Sequence, residues 1–304
     1  MAHKVSLPTL VPSPKIGLDV WMNRVLDLSE TARESWDQEA VHDLRVALRR
    51  CRTMADALSQ VNPDSGWRKM KKSARPVFQA LGHLRDRQVE RQWVKKLGGA
   101  GDPFRRHLLK SLAEREKTLM LEAERALDGF DRKEWRKWSR KLTAKAQFFP
   151  VESVVFQRLA AARLDESMAL FDRARKGRSR VAWHRLRIGL KSFRYTLENF
   201  LPQRYEAWCG ELKSLQDLLG EVHDLDVLRA DSRRYSAGWD PAVIALWIEK
   251  IESARKLRLQ EIRARLTGGN SPLTNWRTGL QNGRGLHVVP AAVSAVESAI
   301  YSAS

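Results

Sequence analysis

The sequence predicts an all-α protein in which one helical unit occurs twice. Three observations lead there. Alternating apolar and polar runs, the mark of half-buried strands, are almost absent. Long stretches of charged and apolar residues recur at a period near 3.6, separated by short breaks containing Pro and Gly. One constellation of residues appears in both halves of the chain. With 304 residues the chain can bury a sizeable core, as one large domain or two ordinary ones.

Residues 1–14 read as a Pro-rich tail, broken by Pro8, Pro12 and Pro14 and without the continuous apolar segment of a signal peptide. The spacing then predicts helices over 15–35, 38–61, 67–97 and 103–127, with a shorter one near 131–147. Together they form a first unit, 15–147. The breaks are Asn62-Pro63-Asp64-Ser65-Gly66, Gly98-Gly99-Ala100-Gly101-Asp102-Pro103 and Phe149-Pro150. A second unit, 148–267, follows with helices over 151–176, 179–201, 204–235 and 240–267. Its breaks are Leu201-Pro202 and Ser236-Ala237-Gly238. Pro76 lies inside an expected helix and should kink it or mark a later start. From Thr267-Gly268-Gly269-Asn270 the pattern weakens, so 268–304 reads as an irregular tail with one short helix around Ala291 to Ile300.

Charge narrows the function. Lys and Arg number 55 against 36 Asp and Glu, a net charge of +19. Such an excess repels itself in the free protein and points to a phosphate-rich or otherwise anionic partner; a generally basic surface is the plainer alternative. No apolar run approaches the roughly 20 residues needed to cross a bilayer, so no membrane partner is expected and the expected location is the cytoplasm. Cys51 and Cys209 fall on apolar helical stretches, read as small core residues of a reducing compartment. The 11 tryptophans read mostly as core, Trp21 and Trp247 among them.

The repeat is explicit. Val41-His42-Asp43-Leu44-Arg45-Val46-Ala47-Leu48-Arg49-Arg50-Cys51-Arg52 aligns without gaps to Trp183-His184-Arg185-Leu186-Arg187-Ile188-Gly189-Leu190-Lys191-Ser192-Phe193-Arg194. A second block follows each copy, Leu81-Gly82-His83-Leu84-Arg85-Asp86 and Leu219-Gly220-Glu221-Val222-His223-Asp224. Seven positions before the glycine stands a cation, Arg75 in one copy and Lys213 in the other.

Each motif places a His, then cations three, seven and ten residues later. At about 100° per residue these positions span an arc of about 80°. Leu44, Ala47, Leu48, Cys51, Met54, Ala55 and Leu58 fall on the opposite side, as do Leu186, Leu190, Phe193, Leu197 and Phe200 in the second copy. One face is core and the other a cation stripe about 15 Å long. An ordinary solvated face mixes in acids at i±4. His42, Arg45, Arg49 and Arg52 have no carboxylate among them, nor do His184, Arg187, Lys191 and Arg194. Stacked like charges cost stability unless an anion arrives, and the length suits an extended chain of phosphates. Arg supplies a forked donor, Lys a mobile point charge, His a donor that depends on pH. Arg75, Lys213 and Lys72 add cations if the next helix packs antiparallel to the motif helix. Gly82 and Gly220 are expected to permit close helix contact. Asp86 and Asp224 either hold a His or Arg of the stripe or form plain interhelical salt bridges. Lys133 and Lys137, outside the stripes, should contribute little.

At these residues the sequence resembles the CHAD family, the conserved histidine α-helical domain. Its signature is a His-x-x-Arg helix with trailing cations, present twice, each followed by a Leu-Gly…Asp helix. The run Lys191, Arg194, Tyr195, Glu198 is the most family-like stretch, and the resemblance covers about 15–267 as one domain. It implies two four-helix bundles related by a pseudo-twofold, a basic central cavity or pore, and binding of inorganic polyphosphate at polyphosphate granules. Some family members carry a β-barrel hydrolase domain with Glu-x-Glu-x-Lys; this sequence has neither that motif nor the strands.

Two other classes compete with polyphosphate binding. Net charge alone would suit a nucleic-acid binder, but the stripes lack the Asn or Gln that read base edges, so only non-specific binding is expected. A phosphoryl-transfer enzyme normally sets carboxylates for Mg²⁺ or a nucleophile beside its cations, and none is evident. No His-Glu-x-x-His, Gly-x-Gly-x-x-Gly or Walker sequence is present, and His83, His107 and His223 lack zinc-type spacing. The expectation is therefore no catalytic residue, no metal and no cofactor. Nothing in the pattern sets an oligomeric state.

Overall fold

The computed structural model describes residues 17–35, 38–177 and 179–282. The elements among them are all helices: α1 (Leu18–Ser35), α2 (Gln38–Val61), α3 (Ser65–Ser73), α4 (Arg75–Leu97), α5 (Pro103–Asp128), α6 (Arg132–Ala146), α7 (Val154–Lys176), α8 (Arg180–Phe200), α9 (Pro202–Arg234), α10 (Pro241–Leu266) and α11 (Pro272–Asn282). Capping chemistry sets many starts. Asp102 accepts from the Arg105 amide and is followed by Pro103, whose missing N–H costs nothing in the first turn. Asp240 with Pro241 does the same for α10, and Ser179 caps α8 through the Ala182 amide.

The expected helix over 67–97 is two helices. Pro76 cannot donate to the Lys72 carbonyl and its ring crowds it, so α3 ends at Ser73 and α4 starts at Arg75. The matching position in the second half is Ser214, and there the single helix α9 runs unbroken for 33 residues. The expected irregular tail needs correction: α11 occupies 272–282, anchored by Trp276, which is fully buried. The helix expected around Ala291 to Ile300 lies outside the described residues.

Both halves repeat one packing order. Hairpin α1/α2 corresponds to α7/α8, and α4/α5 to α9/α10; α6 packs on α1 as α11 packs on α7. The motif helices also meet each other, α2 against α8, and so do α4 and α9. The apolar faces are buried as expected: Leu44, Leu48, Cys51 and Leu58 in α2, Leu186, Leu190, Phe193 and Phe200 in α8. The hydrophobic clusters, however, do not divide at the repeat boundary. The larger joins both motif helices with α1, α7 and the neighbouring helices, and the smaller joins α4, α5, α9 and α10. Cross-repeat polar bonds reinforce this. Arg50 donates to Glu198 at 2.5 Å and to Asn199 at 3.1 Å, and Asn199 donates to Thr53 at 3.3 Å.

Two single-residue readings also change. Cys209 is only half-buried, on α9, whereas Cys51 is core. Trp21 is half-buried, stacked by the Arg50 guanidinium at 5.2 Å.

Candidate anion-binding site

The contact of α2 with α8 brings the two stripes together at their middles. Arg49 lies over the Tyr195 ring at 5.6 Å. Arg45 and Arg49 from one repeat, and Arg187 from the other, are close enough to act on the Lys191 ammonium. Burial, followed by these three guanidinium groups, pushes Lys191 down to about 8. Burial and then Arg49 also depress Arg45. The nearby carboxylates go to other arginines: Glu198 to Arg50, Asp226 to Arg180 and Arg255, Glu221 to Arg258. Among the described residues, Arg45, Arg49, Arg187 and Lys191 make no ion pair. The Nε atoms of Arg45, Arg49 and Arg187 are buried without a hydrogen-bond partner. Four cations thus stand together half-buried outside any ion pair, three of them with an unpartnered buried Nε, a costly arrangement in a free protein.

The outer stripe positions differ. Arg52 is turned away, donating to the Lys71 carbonyl at 2.8 Å and stacking on Phe78 at 4.7 Å. Arg194 donates to Gln216 at 2.9 Å and to the Tyr205 hydroxyl at 3.3 Å. Lys72, Arg75 and Lys213 are exposed at the margin, Arg75 donating to Gln79 at 3.3 Å. The leading histidines are not equivalent either. His42 is exposed in a cleft of about 330 Å³ that Arg45, Arg85 and Glu39 also line. His184 meets His223, Nδ1 to Nδ1 at 3.3 Å. That bond needs one donor and one acceptor, so the bonded pair carries at most one extra proton. Burial first, then Arg187, depresses both, and His223 falls to about 4.

Asp224 comes from α9 and is pushed up to about 6 by burial, with Arg187 and Lys191 opposing and Asp86 of α4 adding to the rise. Asp86 acts on Arg45 and Asp224 on Lys191, so both aspartates lie within electrostatic reach of the cation cluster and of each other. Neither forms an ion pair among the described residues.

Gly82 and Gly220 call for a correction. A β-carbon at either would meet nothing within 4 Å, so neither serves close helix packing. The tight approach is at Gly189, where a β-carbon would sit 3.0 Å from Leu170 and 3.1 Å from the Ser167 hydroxyl. Arg85 and His223, which sequence reasoning left out of the site, hold the same place in the two Leu-Gly blocks. The signal was there: the residue before each aspartate can carry positive charge. No group of three or more potential metal ligands occurs among the described residues, and no helix there is long and apolar enough to cross a membrane.

Comparison with known proteins follows the same lines. The family model described as "CHAD domain" matches residues 22–231. The chain is similar to a structure described as the CHAD domain from the plant Ricinus communis, with 21% identity and a TM-score of 0.56 over 92% of this chain and 96% of that one. It is also similar to PptA from Streptomyces chartreusis, with 16% identity and a TM-score of 0.55 over 88% and 97% of the two chains. At such identities these likenesses establish the fold. No curated protein matches the sequence.

Proposed function

The chain belongs to the CHAD domain family, and from that premise we propose that it binds inorganic polyphosphate without catalysing a reaction on it. The observation that carries the reading is the cluster of Arg45, Arg49, Arg187 and Lys191, drawn from both repeats, half-buried and outside any ion pair among the described residues, with Asp86 and Asp224 acting on it only at longer range. A single phosphate would satisfy one or two of these groups. An extended polyanion crossing from one motif helix to the other satisfies all four, and its charge removes the repulsion that depresses Lys191. His184, His223 and Arg85 border the same ground, with Arg52, Arg194, Lys72, Arg75 and Lys213 at the margins. Association with polyphosphate granules in the cytoplasm would follow from such binding, as would weak, sequence-independent attraction to nucleic acid.

The test compares two double variants. Arg45→Ala/Arg49→Ala and Arg187→Ala/Lys191→Ala each remove two phosphate contacts, one pair per repeat. Each should weaken polyphosphate binding by a similar factor, roughly 700-fold at about 2 kcal/mol per lost charge-assisted bond. Duplex DNA should compete poorly at fixed salt. Duplex DNA that binds more tightly than polyphosphate, or release of free phosphate when Mg²⁺ is added, would replace the reading.

A further inference from the structure

We infer that α6, with α3 beside it, forms a second polyanion-binding face that takes the part of a long phosphate chain extending beyond the central cluster. The inference rests on the polyphosphate reading, extends it to a surface that neither the repeat motif nor the family signature includes, and replaces the expectation that Lys133 and Lys137 contribute little.

One side of α6 is anchored in the core by Trp135, Trp138, Leu142 and Ala146. The other side carries Lys133, Arg136, Lys137, Arg140 and Lys141, all exposed, whose side chains enclose a shallow groove of about 580 Å³. Where this helix has a structural task for a cation, it is filled separately. Arg132 binds Glu30 at 2.9 Å and the Leu26 carbonyl at 3.2 Å, and Lys145 pairs with Asp64. The helix's only acid, Glu134, accepts from the Trp138 indole at 3.2 Å. Among the described residues the five groove cations make no ion pair. They are i,i+3 and i,i+4 neighbours of one another, so each close pair costs a few tenths of a kcal/mol without an anion.

The duplication supplies an internal control. α11 packs on α7 as α6 packs on α1, and its Trp276 is buried as Trp135 is. On α11 the exposed face is Thr274, Arg277, Thr278 and Gln281, with Arg277 bound to Asp165 at 3.1 Å. The fold therefore holds this helix in place without a cation stripe, and of the five charges on α6 only Lys141, whose ammonium lies over the Trp138 ring at 5.8 Å, has a structural contact of its own.

The path between the two faces is also cationic. α3 packs against α2 on one side and α6 on the other. Arg52 of the first motif reaches the Lys71 carbonyl of α3, while Arg68, Lys69 and Lys72 stand exposed on α3 outside any ion pair among the described residues. A chain longer than the central cluster meets these next. Its second segment is held intramolecularly, so the gain appears as avidity for long chains alone.

The experiment measures affinity for a short chain of about six phosphates and a long one of about one hundred, with a salt series for each. Lys133→Gln/Arg136→Gln/Lys137→Gln/Arg140→Gln/Lys141→Gln is compared with the native protein, glutamine being a good helix former. Long-chain affinity should fall about 10- to 100-fold and its salt slope by about 3.5, from five contacts at about 0.7 each, with short-chain affinity within about threefold. Lys137→Gln/Lys141→Gln should give a proportionately smaller loss, which covers the case in which the fivefold variant folds poorly. Unchanged long-chain affinity, or equal losses for both lengths, overturns the inference, the second result marking a general field of net charge. Loss of DNA binding alone overturns it in favour of a nucleic-acid face. Failure of the underlying reading looks different: short chains would then bind equally well after Arg45→Ala/Arg49→Ala.

Discussion

Lys191 offers the sharpest test of the cation cluster, because its cost and its use are both measurable. Burial together with Arg187, Arg45 and Arg49 lowers it from the ordinary 10.5 to about 8. At about 1.4 kcal/mol per tenfold change, that drop corresponds to about 3 kcal/mol against folding with the group protonated. Lys191 keeps some contact with solvent, so about 2 to 3 kcal/mol is the working figure. The sign follows from proton counting. Between pH 8 and 10.5 the unfolded chain holds this proton and the folded one releases it, so the native protein gains stability as pH rises through that window. Below pH 8 the full penalty stands. Lys191→Met keeps the aliphatic stem and removes the charge. It should raise the Tm at pH 7 by about 5 °C, and its advantage should shrink to about 1 kcal/mol at pH 10. The same variant should bind polyphosphate about 30-fold more weakly at pH 7, since a charge-assisted bond of about 2 kcal/mol is lost. Melts at the two pH values, with and without polyphosphate, read all of this. A variant less stable than the native protein at pH 7 would refute the reasoning, as would an advantage that does not change with pH.

Three further outcomes are expected. If about six phosphates are neutralised at a slope near −0.7 each, affinity should fall roughly 300-fold between 50 and 200 mM salt; a flat titration would remove the polyanion reading. Binding should weaken as pH rises from about 4 through 7, because a phosphate chain raises His223 from about 4 and keeps it protonated, and Asp224, at about 6, repels the chain once ionised. His223→Gln should remove part of that dependence and His223→Gln/Asp224→Asn most of it, in titrations at pH 5 and pH 7. Arg50→Ala should lower stability by about 3 kcal/mol in denaturant titrations by stranding the nearly buried Glu198 between α2 and α8, an effect absent if the pair is a solvated surface bridge.

The residues alone determined a good deal here. Helical period and Pro/Gly breaks placed nine spans that cover ten of the eleven helices among the described residues, α3 and α4 sharing one span, because those signals act within a few residues of chain. The acid-free stripe on α2 and α8 was legible for the same reason: a helix converts spacing into a face without reference to the rest of the fold. Pro76 marked the break between α3 and α4 through its own missing donor. The tertiary structure decided what spacing could not. It turned Arg52 and Arg194 aside to Lys71, Phe78, Gln216 and Tyr205, residues far along the chain from the motif positions. It separated His42 from His184 by setting His223 against only one of them, and it left Gly82 and Gly220 facing open space. α11 escaped the sequence reading because eleven residues with one buried tryptophan carry too short a period to stand out. Burial is a property of the assembled helices. Four cations on two stripes are an ordinary basic surface until packing α2 against α8 takes them partly out of water.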